Sequence, residues 1–66
     1  MAGNVRQWAK ERLKSAVNHL EIAGEYLHEI HDMYNEKYPE MGSNLEGCGV
    51  GIFFAIEAIS AIEKSL

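Results

Sequence analysis

Three side chains that can bind a metal ion lie close together near the middle of the chain. Glu25, His28 and Asp32 are separated by three and four residues, and a Glu-x-x-His pair is a ligand pattern of di-iron helical bundles. The surrounding apolar pattern places all three on the solvent side of a helix, whereas metal-binding bundles point such groups inward. A carboxylate–histidine metal site is therefore the weaker alternative, and we expect no cofactor.

The N-terminal segment combines an aromatic side chain with several cations. Arg6, Lys10 and Lys14 recur every fourth residue, and Trp8 and Arg12 follow an adjacent line. Aromatic stacking suits a nucleobase, cations suit phosphate, and a helix N-terminus favours anions. The candidate nucleotide-binding residues are Asn4, Arg6, Trp8, Lys10, Arg12 and Lys14. The same residues could instead contact a neighbouring chain, because Trp and Arg are frequent in interface hot spots.

No group of residues in the sequence predicts catalysis. The serines lack histidine and acid companions, and Cys48 lies among small apolar residues, without a nearby cation to activate its thiol. We therefore expect a protein that is not an enzyme and a Cys48 that is buried for packing.

Size and charge restrict the possible partners. The 66 residues allow a single domain, 1–66, with a net charge of −4 and one cysteine, which excludes an internal disulfide. Residues 1–18 contain four cations and one carboxylate, whereas residues 19–46 contain seven carboxylates and one lysine. A duplex nucleic-acid binder usually has a basic face, so duplex nucleic acid is not expected. The polar N-terminal residues and a short apolar run predict no signal peptide, no membrane association and a cytoplasmic location.

A heptad pattern predicts the first of two helices. Residues spaced alternately by four and three begin at Ala9, and the pattern predicts a helix over about 4–38 that starts at Asn4 and stops at Pro39. Ser43 to Glu46 matches a capping box, which predicts a second helix over about 43–66. The heptad positions are Ala9, Leu13, Ala16, Leu20, Ala23, Leu27, Ile30 and Tyr34.

The two predicted helices differ in length, and this difference predicts self-association. Folded back, the second helix covers the first to about residue 16, which leaves Val5, Trp8, Ala9 and Leu13 uncovered. The second helix is apolar on most sides, and a chain this small is marginally stable alone. We predict an all-α, two-helix antiparallel hairpin that assembles into a homo-oligomeric helical bundle, at least a dimeric four-helix bundle.

Small residues on the second helix indicate close helix packing. Gly47, Gly51, Ala55 and Ala58 line one face at spacings of four, four and three. Phosphate binding is the alternative, but neither the lysine nor the preceding strand of a phosphate loop is present.

One segment of the second helix has a recognisable pattern. It runs from Gly51 to Ile59 and reads Gly-Ile-Phe-Phe-Ala-Ile-Glu-Ala-Ile. It resembles the closing helix of the phage helical-hairpin proteins that sequester cyclic nucleotides to blunt CBASS and Thoeris immunity. The proline-containing turn at Tyr38-Pro39 and the long first helix are similar as well. The resemblance implies a hairpin fold and cyclic-nucleotide capture, but no ligand residue is transferred from it, because this chain reads Glu46-Gly47-Cys48-Gly49-Val50 where the family has a polar run.

Two classes of function follow from these patterns. The first is a non-enzymatic, homo-oligomeric binding protein, a phage anti-defence protein that sequesters a small anionic nucleotide between subunits. The alternative is an acidic helical-bundle protein that binds and inhibits a protein partner through the flank from Glu21 to Glu40.

Overall fold

The computed structural model describes residues 2–34 and 36–66, with side chains from Asn4 onward. Its fold is an antiparallel pair of helices. Helix α1 covers Ala2–Tyr34 and helix α2 covers Pro39–Ser65. No strand occurs in the described parts of the chain. The contacts of Lys14 with Glu63 and of His31 with Glu46 show that the two helices are antiparallel. The predicted all-α, two-helix hairpin is confirmed.

The turn is placed differently from the prediction. Helix α1 ends at Tyr34 rather than near residue 38, and α2 begins at Pro39 rather than near Ser43. Proline suits the first turn of a helix, because its fixed φ is helical and its missing N–H needs no partner there. Pro39 therefore starts a helix that the sequence pattern did not extend back to it, and the N-cap residue is Tyr38, which makes no side-chain capping bond.

Two predicted helix caps are wrong for related reasons. Ser43 lies inside α2, one turn past its start, so the capping box does not begin that helix. Asn4 lies inside α1, which begins at Ala2, so Asn4 is not an N-cap. Each helix begins before the residue that was predicted to cap it.

The α1 face toward α2 follows the predicted heptad for most of its length and then departs from it. Ile30 and Tyr34 were predicted to continue this seam but are 40% and 44% exposed. His31 is half-buried instead, one turn after Leu27. The half-buried positions of α1 toward α2 are Leu13, Val17, Leu20, Gly24, Leu27 and His31, with Ala9, Ala16 and Ala23 at their side.

Helix α2 presents its own half-buried series to α1, and it reaches further than predicted. The members of this inner seam are Leu45, Ile52, Ile56, Ile59, Glu63 and Leu66. Lys10 and Leu13 are half-buried, so α2 covers α1 well beyond residue 16. The earlier start of α2 explains the difference. Val5 and Trp8 remain 63% and 58% exposed, as the overhang predicted.

The hairpin has a line of contact rather than an enclosed core. It measures 55 × 15 × 10 Å, and its radius of gyration of 15.6 Å exceeds the roughly 11 Å of a compact chain of this length. No hydrophobic side chain among the described residues is fully buried. The accessible surface is 5305 Å², about 1,100 Å² more than a compact monomer of this mass exposes.

Helix α2 also meets the requirements of a membrane span. Its 27 residues are long and apolar enough to cross a bilayer by length and composition. A core helix of a soluble bundle meets the same requirements. The sequence argument counted only the apolar run, whereas the whole helix meets the length requirement.

Candidate functional site

An aromatic and a cationic side chain meet on the exposed N-terminal part of α1. The guanidinium carbon of Arg12 lies 5.5 Å from the centroid of the Trp8 ring. The two residues are one helical turn apart, which brings their side chains together, and the distance allows a cation–π interaction. Trp8 is more than half exposed, so part of the indole remains available for a ligand or another chain.

Two lysines of the same segment lie against the end of α2. Lys14 Nζ is 3.8 Å from Glu63 Oε1, and the lysine side chain is 69% exposed. Lys10 and Lys14 line a shallow groove of about 400 Å³ together with Ser60, Glu63 and Lys64. An exposed pair of this kind contributes little to stability, so these lysines remain largely available to an anion.

The six predicted ligand residues therefore do not form one group within a single hairpin. A separation of two residues turns the helix by about 200°, so Trp8 and Lys10 point to different sides of α1. The structure brings Trp8 to Arg12 and Lys10 to Lys14. Asn4 and Arg6 are exposed on the N-terminal turns of α1.

The candidate metal ligands are on the surface of α1. His28 Nε2 lies 3.3 Å from Asp32 Oδ2, and their side chains are 75% and 63% exposed. Glu25 is exposed as well. Within residues 2–34 and 36–66, no three His, Cys, Asp or Glu side chains are arranged to hold a metal ion.

A polar contact between the helices was missed in the sequence. His31 Nε2 lies 3.0 Å from Glu46 Oε1, across the hairpin near the turn. Asp32 Oδ1 lies 3.7 Å from His31 Nδ1 on the other side of the ring. A groove of about 390 Å³ opens beside this contact and includes Gly24 and Gly49 in its lining. The four-residue spacing of His31 after Leu27 was the available signal, since it places an imidazole at a seam position.

Cys48 is free and exposed, so the prediction of its burial is wrong for the single hairpin. It lines a second groove near the turn, of about 550 Å³, together with Tyr38, Met41 and Leu45. The half-buried series of α2 includes Leu45 and Ile52 on either side of Cys48 in the sequence, and Cys48 lies beside this series rather than in it.

No protein family, curated protein or solved structure matches this chain.

Proposed function

We propose that this chain is a non-enzymatic, self-assembling helical binding protein. The observation that carries the proposal is the absence of a buried hydrophobic side chain among the described residues, in a chain that is nearly half hydrophobic. A hairpin without an enclosed core lacks the main stabilising contribution to folding. A homo-oligomeric bundle, at least a dimeric four-helix bundle, supplies the missing burial.

The proposed ligand is a small anionic nucleotide held between subunits. The Trp8–Arg12 pair supports it, because the exposed indole can stack on a base while the guanidinium contacts phosphate. Lys10 and Lys14 lie on another side of the same helix, so one hairpin offers an incomplete site. A site between copies would combine the aromatic pair of one chain with the lysines of its neighbour.

The resemblance of the Gly51–Ile59 segment to phage hairpin proteins narrows this proposal. It supports a cyclic nucleotide as the ligand and an anti-defence role in the host cytoplasm. It also supports a soluble assembly, in which α2 lies inside a protein bundle rather than in a lipid bilayer.

Native mass spectrometry and calorimetry test this proposal together. Native mass spectrometry of protein purified without denaturation reports subunit number and any retained ligand. Isothermal titration with a panel of cyclic di- and trinucleotides should then find a binder whose affinity falls as salt rises, because phosphate contacts are screened.

A charge-reversal pair gives the matched control. Lys10→Glu should weaken nucleotide binding, whereas Lys37→Glu, the same change in the exposed turn, should leave it unchanged. A panel without any binder, combined with an oligomer that dissociates on Trp8→Ala, would assign these residues to subunit contact instead.

A second candidate function rests on the acidic edge of α1, formed by Glu21, Glu25, Glu29 and Asp32. All four side chains are exposed, and their spacing of three and four residues places them on one side of the helix. Such an edge suits a basic protein partner, which an acidic bundle could block. Glu25→Lys with Glu29→Lys would abolish that binding and leave nucleotide binding intact.

A further inference from the structure

Helix α2 carries a second periodic series on the side away from α1. Its spacing is four, three, four, three and four residues. Five of its six positions lie two residues beyond a member of the inner seam, as Phe54 follows Ile52. Two residues turn a helix by about 200°, so this outer face lies nearly opposite the contact with α1. The outer face consists of Gly47, Gly51, Phe54, Ala58, Ala61 and Ser65.

The outer face is apolar and open along its whole length. All six of its residues are exposed, and none is charged. Phe54 is 64% exposed, and Val50 and Ile62 beside it are 54% and 52% exposed. A continuous apolar face of this kind is unusual on a soluble monomer and indicates an interaction surface.

The packing of the hairpin does not require glycine at Gly47 or Gly51. A Cβ atom built on Gly47 or Gly51 meets no heavy atom within 4 Å. Glycine weakens a helix interior relative to alanine, so Gly47 and Gly51 cost helix stability that a close contact would offset. Contact with the backbone of another helix provides it, because a missing Cβ lets two helix axes come closer.

We propose that the outer face of α2 packs against a second copy of this chain. This inference rests on the self-assembly proposed above and adds the surface through which it occurs. The excess exposed area of about 1,100 Å² is enough for a standard interface, which buries roughly 800 Å² per partner. The α2 helices then form the middle of the bundle, with α1 on the outside.

The charges beside the outer face select protein rather than lipid as the occupant. Glu46, Glu57 and Lys64 are exposed and follow one edge of α2. An apolar centre with a charged rim is the anatomy of a protein interface. In a bilayer, Glu57 would lie near the middle of the span, where a carboxylate is costly.

Sedimentation velocity across a concentration series tests the proposed surface. Gly51→Leu fills the close contact, so self-association should weaken at least about tenfold through overpacking. Asn18→Leu is the control, because it adds the same side chain at an exposed position of α1, away from both the outer face and the contact with α2. Circular dichroism of both variants should show that the helices persist.

Cross-linking keeps the test independent of any folding defect. In a Cys48→Ala background, Ala58→Cys places the single thiol on the outer face, and Glu25→Cys places it on the acidic edge of α1. A bifunctional maleimide should join two chains through position 58 and not through position 25.

The outcomes separate this inference from the function it rests on. A wild-type monomer at micromolar concentration would overturn both. A wild-type oligomer that Gly51→Leu leaves intact, without cross-linking at position 58, would overturn the inference and retain self-assembly. Recovery of the wild-type chain with lipid vesicles in a flotation gradient would also overturn it, in favour of a membrane span.

Discussion

The outer face of α2 and the N-terminal turns of α1 are both exposed, but they differ in composition. The outer face has small and apolar residues without charge, whereas the N-terminal turns have an indole, four cations and one carboxylate within residues 4–14. Apolar surface gains free energy when it leaves water, and surface charge gains little from burial. This difference supports the proposals made above, of helix contact at the outer face and of ligand contact at the N-terminal turns.

The largest expected effect is the loss of self-association when a charge is placed on the outer face. Phe54→Asp places a carboxylate in the proposed contact between α2 helices, where its desolvation should cost more than about 3 kcal/mol of association free energy. Sedimentation at micromolar concentration should show dissociation. Asn18→Asp, which adds the same charge at an exposed polar position of α1, should sediment as the wild type does. An unchanged assembly in the Phe54 variant would remove the outer face from consideration.

The next effect tests the contact between α1 and α2. Leu20 lies half-buried in this seam, so Leu20→Ala should lower the free energy of unfolding by about 2 kcal/mol, the low end for leucine-to-alanine changes. Urea denaturation at one fixed protein concentration measures it. Ser15→Ala, at an exposed position of the same helix, is the control. Equal midpoints for the two variants would contradict the seam.

A smaller effect, on nucleotide binding, tests the proposed role of the N-terminal turns. Trp8→Ala should cost about 1–3 kcal/mol of nucleotide-binding free energy through lost stacking. The oligomer should persist in the same sample, because Trp8 lies outside the outer face. Titration calorimetry and sedimentation on one preparation check both statements, and dissociation together with lost binding would make Trp8 an interface residue.

The smallest effect concerns the exposed pair of Lys14 and Glu63. Lys14→Ala should change the free energy of unfolding by less than about 1 kcal/mol, since the lysine is mostly in water. Lys37→Ala in the turn should have no effect. A loss of several kcal/mol at Lys14 would mean that the pair is desolvated in the assembly.

The hairpin could be predicted because leucine and alanine recur with helical spacing, and a chain this short leaves few alternatives. The turn could not, because proline is compatible both with the end of one helix and with the first turn of the next. The seam near the turn was mispredicted because apolar Ile30 and Tyr34 fitted the heptad better than His31, which has a partner in Glu46.

The candidate site was predicted as a list of residues rather than as a geometry. The type of each side chain was visible in the sequence, and the pairing of Trp8 with Arg12 follows from their four-residue spacing. The two-residue offset between Trp8 and Lys10 already separates them on a helix, so this division was available before the structure. The approach of Lys14 to Glu63 was not, because it depends on where the turn places α2.

Two polar contacts between the helices, Lys14 with Glu63 and His31 with Glu46, bear on alternative alignments of the hairpin. Seventeen residues separate Lys14 from His31 on α1, and seventeen separate Glu46 from Glu63 on α2. Heptad repeats allow one helix to slide past the other by seven residues and still match apolar positions. Such a slide would part Lys14 from Glu63 and His31 from Glu46 at once. Each contact alone contributes little to stability, but a slipped alignment loses both together, so their contributions add in favour of the native alignment.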